Sequence, residues 1–305
     1  MLAVTVFLQM LSFVIMIGAG MAAAKMNLLD ETANQRMSAL VLKLFGPMLT
    51  ISSAASAAGN ISLKSFGLTS LTALGMFGVY ILIAAVSARL FDRDKEQQKL
   101  YKMMFVFSNL GFIGIPVVSS ALGPEYVIYV TAFMLMYNVV FYTYGIVVAE
   151  GSFSRKALRG MVNSGTVFWL AAMVIVVFQI RLPEFILSAA SYIGNVTTPL
   201  ALMGVGYTMV HMKVKELFGD VRLYLFTVFK MLVLPLILLK MLRLFPVSGE
   251  FAAVCLVMFG MPNGNMPLVM GTQRGMDVKT CTSAIVLTTL LSVVTLPVLL
   301  AVSGF

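Results

Sequence analysis

Two short clusters hold the residues best suited to chemistry in this chain. One reads Ser108-Asn109-Leu110-Gly111-Phe112-Ile113-Gly114-Ile115-Pro116, the other Gly260-Met261-Pro262-Asn263-Gly264-Asn265-Met266-Pro267. A carboxamide both donates and accepts hydrogen bonds without carrying charge. Proline removes a backbone donor and clashes with the preceding turn, and glycine adds backbone freedom. Together these residues predict a helix interrupted in mid-span, with Pro116, Pro262 and Pro267 holding the interruptions. Freed peptide groups carry partial charge, positive at a helix start and negative at a helix end, and can hold an ion without an ionised side chain. That chemistry is binding rather than bond-breaking. Asn109, Gly111, Gly114, Asn263, Gly264 and Asn265 are its candidate residues. The plainer alternative is a kink or a close helix contact, both common uses of Gly and Pro in membranes.

Other polar residues lie at similar depth. Lys43 stands four residues before Pro47, and Asn195 four before Pro199; Lys43 and Asn195 are further candidate binding residues, and Pro47 and Pro199 candidate helix breaks. A lysine there is either a fixed positive charge for an anionic substrate, or for a missing coupling cation, or a side chain snorkelling to the nearer interface. Asn138 either faces the same cavity or hydrogen-bonds to a neighbouring helix. Lys230, about eight residues from Arg222, is read as snorkelling, His211 as interfacial, and Cys255 and Cys281 as packing residues. All twelve Asp and Glu residues lie in or next to loops. Phosphate-binding loops, zinc-protease motifs, nucleophile elbows and metal-ligand spacings are absent from the sequence, so no catalytic residue, metal or cofactor is expected.

These residues must be positioned by membrane helices. The chain has 305 residues, 60% hydrophobic and 11% charged, whereas a soluble domain carries about 25% charged residues. Ten apolar runs are long enough to span a bilayer: 2–24, 37–57, 65–88, 100–121, 126–149, 162–180, 184–210, 222–244, 250–271 and 279–303. No Lys or Arg precedes Lys25, so the first run is read as a membrane helix and not as a signal peptide. Loops after the odd-numbered spans hold fifteen Lys and Arg residues and those after the even-numbered spans four. Positive residues favour the cytoplasm, which places both termini outside. The net charge of +9 is then an orientation signal, and no nucleic-acid partner is expected.

Pro47 and Pro199 are 152 residues apart, Pro116 and Pro267 151, and Gly123 and Gly275 152. A repeat that holds five spans must enter the membrane from opposite sides in its two copies, a plan common in secondary transporters. The expected fold is therefore an all-α polytopic membrane protein of ten transmembrane helices. Its two inverted five-helix repeats are 1–149 and 162–305, joined by a cytoplasmic linker at 150–161, with spans 4 and 9 broken and crossing.

The sequence resembles the auxin efflux carrier family of membrane transporters in its compact bacterial form. The resemblance rests on Lys25-Met26-Asn27-Leu28-Leu29-Asp30-Glu31, on Leu42-Lys43-Leu44-Phe45-Gly46-Pro47 and most specifically on Ser108 to Pro116. Thr198 to Gly206, Met261-Pro262 and Met266-Pro267 support it. It implies a scaffold of spans 1, 2, 6 and 7 beside a mobile bundle of spans 3–5 and 8–10, with the substrate at the crossing, and a homodimer through the scaffold. It also implies a small organic anion as substrate, such as malonate, malate or an auxin-like acid, carried across the cell membrane. The long central hydrophilic loop of plant members is missing here.

Overall fold

The computed structural model describes residues 2–58, 63–151, 164–245 and 247–304. Among them the chain is helical and forms no strand. The helices, in our numbering, are α1 (Leu2–Lys25), α2 (Glu31–Ser56), α3 (Leu63–Phe91), α4 (Lys95–Val106), α5 (Leu110–Ala121), α6 (Val127–Glu150), α7 (Ser164–Val177), α8 (Glu184–His211), α9 (Val221–Leu242), α10 (Gly249–Gly260), α11 (Met266–Gln273) and α12 (Lys279–Ser303). Seven of these, α1, α2, α3, α6, α8, α9 and α12, are each long and apolar enough to cross a membrane. The remaining expected spans correspond to the pairs α4–α5 and α10–α11 and to α7. Most of the expected linker at 150–161, with Arg155, Lys156 and Arg159, lies outside the described residues.

Local chemistry sets the helix ends. Asp30, Asp94, Asp220 and Ser248 each cap a helix start by accepting a backbone N–H with the side chain, which satisfies donors that lack a partner one turn back. Inside the spans the proline sites behave differently from one another. Pro47, Pro116 and Pro235 each follow a wide π-helical segment, at Val41–Phe45, Leu110–Gly114 and Phe229–Val233. The wider turn makes room for the proline ring, so the helix continues. Pro47 and Pro116 therefore do not break their helices as the sequence suggests. Near Pro199, by contrast, the helix steps at Val196 between Glu184–Asn195 and Thr197–His211.

Small residues and apolar stripes pack the helices together. In α1 the buried residues are Val6, Met10, Phe13, Ile17, Gly20 and Ala24, a stripe at alternating spacings of four and three that lies on one helix face. That stripe packs along Thr197–His211 of α8. A Cβ on Gly20 would collide with the Met203 carbonyl, and one on Gly206 with the Ile17 carbonyl. These glycines let two backbones touch, as small residues do between membrane helices. The second half of α2 packs on α7 and on the first half of α8. Helix α3 lies against α4 and α6, α9 against α10 and α12, and α1 also packs on α12 and α5. Side chains turned outward are apolar, with Ile15 73% and Leu90 80% exposed, as expected where lipid is the solvent.

Charged residues collect at one end. Arg222 pairs with Asp92 at 3.3 Å and Arg274 with Glu150 at 2.9 Å, while Gln97 donates to the Asp277 carbonyl at 2.9 Å. These contacts bring the segments after α3, α6, α8 and α11 together.

Candidate binding site at the meeting of two helix breaks

The interruption between α4 and α5 covers 107–109, and that between α10 and α11 covers 261–265. The two meet. Ser108 and Asn263 form an isolated antiparallel bridge. The Asn109 N–H donates to the Pro262 carbonyl at 2.8 Å, and the Gly264 N–H to the Phe107 carbonyl at 3.0 Å. Each break thus satisfies peptide groups that the other leaves open, which hydrocarbon could not do. Gly264 is where this approach is tightest: a Cβ there would lie 3.0 Å from the Ser108 carbonyl oxygen and 3.3 Å from that of Phe107. The Ser108 carbonyl accepts from Leu110 N–H and the Asn109 carbonyl from Gly114 N–H.

Beside the crossing lies a cavity of about 130 Å³. Its polar lining comes from Thr50 of α2, Ser108 and Asn109, Tyr137 and Asn138 of α6, and Asn265. The first residues of α5 and α11, Leu110 to Phe112 and Met266, also border it, so two helix starts face this space. Asn109 caps α5, its Oδ1 accepting from Phe112 N–H at 3.2 Å. Asn265 precedes α11 but makes no capping bond, which leaves its amide to the cavity. Asn138 donates to the Met134 carbonyl at 2.8 Å. A second cavity of about 140 Å³, lined by Asn34, Ser38, Thr208 and Thr282 among others, extends toward the charged end; Leu42 and Asn265 border both cavities.

The residues singled out from sequence divide accordingly. Asn109, Gly111, Gly264, Asn265, Asn138 and Pro47 line the first cavity. Gly114 lies behind it, where a Cβ would press on the Met258 side chain. Pro262 is inside the second break, and Pro267 is in the first turn of α11. Three expectations need correction. Lys43 and Asn195 are exposed on α2 and α8 and line neither cavity; Asn195 bonds Ser191 one turn back at 3.4 Å. The helix turns their side chains away from the crossing, although their spacing from proline matches. Asn263 is 0% exposed and points away from the cavity.

What Asn263 meets instead is the residue the sequence reading misplaced. Lys230 is 0% exposed, and its Nζ donates to Asn263 Oδ1. The snorkelling reading fails on length, because eight residues of helix put Lys230 about 12 Å from Arg222, beyond the reach of a lysine stem. The Asn263 N–H donates to Thr288 Oγ1 of α12 at 3.1 Å. Thr198 was also missed. Pro116 has no N–H to give the Phe112 carbonyl, and Thr198 Oγ1 donates to that oxygen at 2.6 Å. A hydroxyl just before a proline in span 7 was the available signal.

Helices with lipid-facing apolar surfaces, broken where they meet beside a largely apolar cavity that a few carboxamides and hydroxyls border, define a polytopic membrane transporter. The chain belongs to the membrane transport protein family, whose profile matches residues 5–159 and again 152–300, the family to which the resemblance in the sequence points. It is similar to an uncharacterized transporter of Methanocaldococcus jannaschii, 27% identical over 222 residues that cover 70% of this chain and 71% of that one.

Proposed function

We propose that this transporter carries a small organic anion, a mono- or dicarboxylate, across the cell membrane by alternating access, as ten spans in two inverted five-helix repeats. One observation carries the anion reading. At the crossing, the carbonyls of Phe107, Ser108, Asn109 and Pro262 are all taken by backbone N–H groups, whereas the start of α11, which has no side-chain cap, and the amide of Asn265 border the cavity. Carbonyl oxygens would be the ligands of a cation; helix starts and amide N–H groups are the ligands of a carboxylate. No acidic side chain lines either cavity. The two family matches fit a duplicated architecture, and the Lys and Arg distribution favours termini outside.

The test is counterflow of labelled malonate, malate and an auxin-like acid into proteoliposomes. The wild-type protein is expected to accelerate at least one of them, and Asn109→Ala and Asn265→Ala to reduce that flux at least about tenfold, the scale of a lost charge-assisted hydrogen bond. Normal flux in both variants would move the site elsewhere.

A further inference from the structure

Lys230 is a buried lysine placed behind the cavity. It lies on α9, is 0% exposed, and among the described residues donates to the side-chain oxygen of Asn263. All twelve Asp and Glu residues lie in or next to the loops, and none forms an ion pair with Lys230 among the described residues. A lysine that deep is costly without compensation. Its contact is also specific. Asn263 is the residue whose backbone bridges Ser108, and its chain neighbours Gly264 and Asn265 border the cavity. The Asn263 Nδ2, itself buried, has no hydrogen-bond partner among the described residues. With Oδ1 held by the ammonium, the amide is polarised with its positive end at Nδ2.

We propose that Lys230 is the counter-charge for the carried anion. It acts across Asn263, which it also orients, and makes the cavity select an ionised carboxylate over a neutral analogue of the same shape. This rests on the reading of the crossing as an anion site. Lys230 does not touch the cavity and is a positioning and electrostatic residue. Its effect is the field of one unit charge, taken at a separation on the order of 10 Å and an effective dielectric constant near 20. Such a field favours the acid by at least about tenfold.

The experiment measures binding by the purified protein to malonate, malate and indole-3-acetate, each paired with its neutral amide. Lys230→Gln keeps a donor for Asn263 Oδ1 and removes the charge. Lys230→Met removes both, and Asn265→Ala removes a lining amide. Thermal melting of the ligand-free variants reports folding. The wild type is expected to bind at least one acid over its amide, and Lys230→Gln to lose that preference about tenfold while it melts like the wild type. Asn265→Ala is expected to weaken acid and amide together. A folded Lys230→Gln that keeps the acid preference overturns the role of Lys230 and leaves the anion site standing. A wild type that binds amides as well as acids, or binds none of the six, overturns both.

Discussion

At the scale of single residues, equivalent positions in the two clusters do different work. Asn265 faces the cavity with its amide unspent on capping, Asn109 spends one oxygen on capping α5, and Asn263 turns its side chain to Lys230. All three were legible in the sequence as carboxamides at a break. Which way each points was not, because direction is set by the bridge between Ser108 and Asn263, a contact 155 residues long in sequence. Lys43 was mistaken for the site's charge for the same reason: spacing from a proline fixes depth and leaves the helix face open. Gly264 is the residue on which the crossing depends most. Its missing Cβ would press on backbone at Phe107 and Ser108, whereas at Gly111 the nearest atom is the mobile Met134 Cε at 3.1 Å. Gly264→Ala is therefore expected to destabilise the protein by about 1–3 kcal/mol, the scale of overpacking against atoms that cannot yield. Gly111→Ala should cost less. Detergent-solubilised melting temperatures of both variants check the order.

At the scale of elements, hydropathy located the helices, and the Gly/Pro/Asn clusters located the two interruptions. What it misjudged was the cause of each interruption. Proline alone did not break α2 or α9, because a π-helical turn absorbed the ring at Pro47 and Pro235. The α4–α5 break falls at 107–109, several residues ahead of Pro116, where the chain leaves helical geometry to pair with the other break. The consequence of Pro116 is instead a freed Phe112 carbonyl, taken by Thr198. This bond ties α8 to α5. Thr198→Val keeps the side-chain shape and removes the donor, so the carbonyl loses its partner. The expected cost is about 1–2 kcal/mol in stability, read as a lower melting temperature, with Thr198→Ser close to the wild type.

At the scale of the whole molecule, composition was enough to name lipid as the solvent, and the offset of about 152 residues was enough to suggest a duplication. How the halves face one another was carried by contacts distant in sequence, and these the residues could not announce. The two cavities meet at Leu42 and Asn265, and the second leads toward the charged end of the bundle. A carrier must open the first cavity to each side in turn, whereas a receptor would open it to one side only. Thr50 lines this cavity, and its hydroxyl bonds only within its own helix in the structure, to the Gly46 carbonyl at 3.1 Å. The native thiols of Cys255 and Cys281 are buried, so the parent protein supplies the background. The decisive measurement is labelling of Thr50→Cys by a membrane-impermeant maleimide in right-side-out and in inverted vesicles. The account predicts labelling above background from both sides, slowed on both by the carboxylate that the protein carries. Labelling from one side alone, at a rate the carboxylate does not change, would contradict it.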